Sequence, residues 1–123
     1  MARHAYERRK RPVNNHKAYH AHVYFDATNT DVAKALCIRA GETFAVNVGR
    51  FHEKPVGPHP CWSCQISFGS EDFDTLIPWL DAHRQGLTVL VHALTGDAIK
   101  DHTNYAYWLG DPVSLKLGMF EGQ

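Results

Sequence analysis

Residues 19–26, YHAHVYFD, carry the pattern on which the fold turns: Tyr19, Ala21, Val23 and Phe25 alternate with His20, His22, Tyr24 and Asp26. A period of two is that of a strand, and the apolar set marks the face that is buried. The segments on either side supply its partners. After possible caps at Thr30 or Asp31, Val32, Ala33, Leu36 and Cys37 recur at helical spacing up to Gly41, which predicts an amphipathic helix over 30–41. Residues 43–51, TFAVNVGRF, are apolar and partly β-branched, and in residues 61–68, CWSCQISF, Trp62, Cys64, Ile66 and Phe68 alternate with Cys61, Ser63, Gln65 and Ser67. Both segments predict strands. The intervening HEKPVGPHP, with three prolines and one glycine, cannot hold a regular ladder and reads as a stiff loop.

Ser70 opens a second helix, predicted over 70–85, with Glu71, Asp72 and Asp74 near its start and Phe73, Leu76, Ile77 and Leu80 on one stripe. Pro78 marks a point where it can kink or split. Residues 87–94, LTVLVHAL, form a nearly continuous apolar strand bearing His92, and a turn and a short helix are expected from Thr95 onward. The order β-α-β-β-α-β predicts an α+β fold of the ferredoxin-like kind: a four-stranded antiparallel sheet with two helices on one face. Its other face needs a cover, either a second subunit, giving a homodimer, or the C-terminal segment.

A chain of 123 residues has room for one domain, which buries roughly 65% of its unfolded surface and needs no disulfide scaffold. No apolar run reaches the roughly 20 residues that cross a bilayer. The N-terminal stretch has no apolar core of a secretory signal, so a cytoplasmic location with reduced thiols is expected for the three cysteines. Residues 1–17 hold six Lys/Arg against the single acid Glu7 and read as a flexible basic arm before one domain over 18–123. The rest of the chain is acidic, which argues against a nucleic-acid partner.

Nine histidines outnumber Cys, Met and Trp combined. Histidine binds Zn, Cu, Fe and Ni and titrates near neutrality. In the predicted topology the first strand lies between the third and fourth, so His92 approaches His20 and His22 on the face away from the helices. Any one of these reads readily as a hydrogen-bonded packing residue, but three clustered imidazoles are costly to desolvate without a purpose. The loop adds His52, Glu53 and His59, ligand types of a 2-His-1-carboxylate iron site. To join the cluster, the loop must fold back over the open face or reach a partner subunit. Cys61 and Cys64, three apart on a strand, point to opposite faces and read as structural. Asp97, Asp101 and His102 follow the last strand as supporting acids or as turn and cap residues. No nucleophile elbow, phosphate loop, dinucleotide fingerprint or HExxH motif occurs.

The segments YHAHVYFD, VGRFHEKPVGPHP, LTVLVHALTGD and DHTNYAYWLG resemble, in that order, the DOPA 4,5-dioxygenase family, from about Tyr19 to Gly110. The resemblance implies a ferredoxin-like fold and extradiol cleavage of a catechol such as L-DOPA with non-haem Fe(II) and O₂. Carried onto this chain, it implies that the metal draws its ligands from His20, His22, His59 and His92, while His52 and His102 are candidates for acid/base catalysis. Arg50 or Lys54 would pair the carboxylate of an amino-acid substrate. No carboxylate stands beside His20, His22 and His92 in the pattern, so the ligand set remains open between all-histidine and mixed. The alternatives are a zinc-dependent hydrolase or lyase on the same histidines and a non-catalytic dimeric module binding a small aromatic molecule.

Overall fold

The computed structural model describes residues 12–120. Five strands, β1 (Ala18–Phe25), β2 (Asn47–His52), β3 (Trp62–Gly69), β4 (Val89–Ala93) and β5 (Ala106–Leu109), form one sheet in the order β2-β3-β1-β4-β5. Every neighbouring pair is antiparallel. Three helices, α1 (Thr30–Thr43), α2 (Ser70–His83) and the single turn α3 (Ala98–Asp101), complete the described secondary structure with a 3₁₀ turn at Leu117–Phe120. The expected four-stranded sheet with two helices is thus corrected to five strands, and the third helix, α3, is the short one expected after Thr95. β5 pairs with β4 from Val89↔Leu109 to His92↔Ala106. Its four residues are too short a run for an alternating pattern to stand out from the turn-rich sequence around it.

β1 is the central strand and the alternation read from its sequence holds: Tyr19, Ala21 and Val23 are completely buried. They pack with Ile66, Val89 and Val91 against Leu36 and Cys37 of α1 and Leu76 and Leu80 of α2, so both long helices cover one face. Full burial of each such aliphatic side chain contributes roughly 1.5–3 kcal/mol, which fixes the register of β1.

Two boundaries differ from expectation for identifiable reasons. α1 runs past Gly41 to Thr43, and β2 starts only at Asn47. A Cβ on Gly41 would stand 3.1 Å from Val48 Cγ2, so the glycine serves close packing against β2 and is not a stop signal. α2 continues through Pro78 unbroken. Pro78 and Asp74, whose carbonyl loses its usual donor, are both exposed, so water can take the missing bond.

The face away from the helices is covered by the same chain. Tyr24, Leu90 and Ala106 form a second small apolar cluster under Cys61, Trp108, Val113 and Leu115. The two covering segments are tied together where the Lys116 amide donates to Pro58 O at 2.8 Å. Of the two expected covers, the C-terminal segment is therefore used. Residues 1–11 of the basic arm lie outside the described residues. Residues just after them contact the domain: Asn14 Nδ2 donates to Ser70 O, and the His16 ring lies 4.5 Å from that of Tyr105. No helix among the described residues is long and apolar enough to cross a membrane.

Candidate metal centre

Register alone brings the first two strands of the site together. His20 sits directly opposite His92 in the β1–β4 ladder, and His22 lies two residues along the same face of β1. Their side chains converge: each of His20, His22 and His92 offers a ring nitrogen, and these atoms all lie within 4.8 Å of one another. His22 and His92 are 5% and 2% exposed, whereas His20 is half-buried, leaving one side of the group approachable.

The loop after β2 folds back over this face, as completing the cluster required. His59 is buried, its ring centroid lies 4.0 Å from that of His22, and its Nδ1 is 2.6 Å from the Tyr24 hydroxyl. Tyr24 occupies the next open-face position of β1 after His22. Burial, with the nearby Cys61, pushes the phenol above its ordinary range, so it stays protonated. From the other side α3 carries His102, whose ring stands 4.3 Å from that of His92 and 4.9 Å from that of Phe120. Four chain segments thus contribute imidazoles, all from one subunit.

Two tautomers follow from the hydrogen bonds. His92 Nδ1 lies 2.9 Å from Ala93 O, and His102 Nδ1 lies 2.8 Å from Ala98 O. A carbonyl only accepts, so in both rings Nδ1–H donates and Nε2 keeps its lone pair for a metal or a proton. His22 Nε2 is 3.0 Å from His92 Nε2. Without an ion, His22 donates this bond. With one, the same spacing suits two ligands, because nitrogens about 2.1 Å from a zinc-sized ion and at right angles to each other stand about 3 Å apart.

Electrostatics favours neutral rings. Burial pushes His92 down to about 3, opposed by its bond to Ala93 O and reinforced by repulsion from His102 and His20. Burial, with His102, His20 and His52 adding to it, pushes His59 down to about 4. His22 is driven well below its ordinary value by burial and then by His59, His92, His20 and His102, and His20 is lowered by burial and His102. Unprotonated imidazoles are what a cation needs, so the donor set fits a divalent first-row metal.

Other predicted residues are placed less centrally. His52 is half-buried at the end of β2 opposite Ser63, on the histidine face and near enough to His59 to influence its charge. Arg50 and Lys54 are exposed, Arg50 where the β2–β3 register shifts between Val48 and Phe51. Glu53 is exposed, and no carboxylate belongs to the clustered ligand group among the described residues. Cys64 lies in the helix-side core and Cys61 against the opposite cluster, as strand alternation required.

Asp101 has a clear structural role. It is 4% exposed, and its carboxylate accepts from the Thr95 amide at 2.9 Å and the Thr95 hydroxyl at 2.7 Å. Asp97 caps α3 by accepting from the Lys100 amide at 3.1 Å. These bonds fix the turn that presents His102. Losing these two part-buried bonds in Asp101→Ala is expected to lower stability by about 2 kcal/mol, measured by urea unfolding, and to leave metal binding by His20, His22 and His92 in place. Stability equal to the parent's would show that the carboxylate does not hold this turn.

Sequence reasoning missed Tyr24 as the partner of His59. The available signal was its shared face with His20 and His22.

Comparison with known proteins agrees with this geometry. The model of the Dopa 4,5-dioxygenase family matches residues 19–119. An uncharacterized 21.2 kDa protein of Botryotinia fuckeliana is 33% identical, over 94% of this chain and 70% of its own. A DOPA 4,5-dioxygenase of Amanita muscaria is 34% identical over 82% of this chain, which spans only 48% of that relative's length. A crystal structure described as that of a "putative dioxygenase" from Nostoc punctiforme superposes with a TM-score of 0.84 at 42% identity, covering 90% of this chain and 96% of the other. With the family model spanning nearly the whole described domain and the histidines gathered on one face of its sheet, the chain belongs to the Dopa 4,5-dioxygenase family.

Proposed function

We propose that this chain is an extradiol catechol dioxygenase that uses non-haem Fe(II) and O₂. The observation that carries the reading is the convergence of His20, His22 and His92 in a chain of this family. Those three residues hold the ion. When bound, iron supplies a Lewis-acidic, redox-active centre at which catechol and O₂ react. His102, with Nδ1–H committed to Ala98 O, has Nε2 free to take a catechol proton and return it. His59, oriented by Tyr24 and flanked by His52, closes the site from above and is either a further ligand or a second proton carrier. The loop and the C-terminal segment cover this face, so a second subunit is unnecessary for completing the histidine set. The three free thiols suit a reducing, cytoplasmic setting.

Three imidazoles without a carboxylate also form a catalytic zinc set, which keeps a zinc hydrolase or lyase as the alternative. Anaerobic reconstitution with Fe(II), followed by a panel of catechols with oxygen uptake and a visible spectrum, separates the two. The expected result is oxygen consumption that accompanies catechol loss with iron but not with zinc. Iron that binds yet supports no oxygen uptake with any catechol would reject the dioxygenase reading. His59→Ala and His52→Ala refine the roles: loss of iron identifies a ligand, and retained iron with a collapsed rate identifies a proton carrier. Parent-like behaviour of both would reduce the loop to scaffolding.

A further inference from the structure

We infer that Tyr24 is a positioning residue: its hydroxyl holds the His59 proton on Nε2, so that His59 meets a catecholate oxygen as an N–H donor and leaves the metal to His20, His22 and His92. The catechol rests on the dioxygenase reading; the tautomer does not. The polarity of one bond decides that tautomer. The Tyr24 hydroxyl lies 2.6 Å from His59 Nδ1. N–H···O bonds span about 2.7–3.2 Å, whereas hydroxyl donors approach to about 2.5–3.0 Å, so the separation is that of a phenol donating to a nitrogen. The chemistry agrees, because a neutral imidazole nitrogen is a far stronger base than a phenol oxygen. A neutral imidazole carries one proton, and with Nδ1 accepting, that proton sits on Nε2. His92 and His102 are the reverse, since carbonyls hold their protons on Nδ1.

Both partners are held in place. Tyr24 stands on the central strand opposite Ser63 and packs with Leu90 and Ala106. The His59 amide donates to Val56 O at 3.1 Å, and the preceding carbonyl, that of Pro58, accepts from the Lys116 amide. With the backbone fixed on this side, the bond to Tyr24 sets the orientation of the ring. The two nitrogens of an imidazole face nearly opposite ways, so Nε2 is turned away from Tyr24. The His22 ring lies 4.0 Å from that of His59, and the His102 ring 6.4 Å. His59 is nevertheless outside the group of His20, His22 and His92, whose ring nitrogens all lie within 4.8 Å of one another. A ring that borders the ligand group and carries its proton on the nitrogen remote from Tyr24 is built to donate.

The test is a long-range ¹H–¹⁵N correlation spectrum of the histidine rings in the full-length protein, metal-free and loaded with diamagnetic Zn(II). His59 is expected to carry its proton on Nε2 in both states, and added catechol to move that proton downfield in the zinc form. A proton on Nδ1, a His59 Nε2 that becomes a zinc ligand, or an Nε2–H unmoved by catechol would overturn the inference. Tyr24→Phe keeps the ring and removes only the hydroxyl. Its iron content is expected to match the parent's while kcat/KM for catechol falls at least about 10-fold, part of the roughly 10²–10⁴-fold that a positioned proton donor contributes. Lost iron or parent-like kcat/KM in the folded variant would also overturn the inference. If the variant does not fold, the spectra of the parent protein decide. If no catechol supports oxygen uptake, the dioxygenase reading fails separately, and the same spectra still decide whether His59 is a donor or a ligand.

Discussion

His92→Ala is expected to lose the bound metal at micromolar concentrations and to reduce catechol-dependent oxygen uptake by at least roughly 100-fold, the upper end of what disturbing only a ligand's supporting hydrogen bond costs. The residue is 2% exposed, sits opposite His20 in the central ladder, and has its Nε2 3.0 Å from His22 Nε2. Its proton is fixed on Nδ1 by Ala93 O, so no other group can present the same lone pair at that point. Removal also leaves the His22 ring facing a void with its hydrogen bond lost, a cost of about 1–3 kcal/mol. Folding therefore has to be separated from ligation. His92→Phe fills the volume, and its circular dichroism and unfolding curve show whether the domain persists while iron, measured by metal analysis of the purified protein, is absent. A folded His92→Phe variant that retained iron and full turnover would remove His92 from the metal site.

The second large effect is acid destabilisation of the metal-free protein. His22, His59 and His92 have folded pKa values pushed down, to about 4 for His59 and about 3 for His92, and His20 is lowered as well. In the unfolded chain each takes a proton near 6.5. Below that pH the unfolded state binds more protons than the folded state, so stability is intact above about 6.5 and falls as the pH drops towards 4. Each strongly depressed histidine contributes up to about 1.4 kcal/mol per pH unit. Several together are expected to lower Tm by at least about 10 °C between pH 7 and pH 5. Added Zn(II) or anaerobic Fe(II) should raise Tm at pH 7 and do so much less at pH 5, because protons then compete for the same lone pairs. In folded His92→Phe the acid slope should be shallower. A metal-free Tm that stays flat from pH 7 to pH 5 would contradict the buried neutral cluster.

The two predictions rest on features of different origin. The alternation in YHAHVYFD was enough to place His20 and His22 on one face and the core residues Tyr19, Ala21 and Val23 on the other, because side chains of a strand have only two directions. Element order then put β1 between β3 and β4, and with it His92 beside His20. These are consequences of local periodicity and of the few connections open to a short chain. The family blocks strengthened them and gathered His59 and His102, already noted beside the strands, into the same candidate set.

What tertiary structure decided is everything that depends on how irregular segments pack. Nothing in HEKPVGPHP states that it doubles back to set His59 on Tyr24 and His22, since prolines limit a loop's shape without naming its destination. β5 is four residues long and owes its place to the exposed edge of β4, not to a pattern of its own. The tautomers of His92 and His102 are set by carbonyls that only the folded backbone brings within reach. Sequence periodicity determined which faces the histidines share; long-range packing determined which of them meet and what surrounds them.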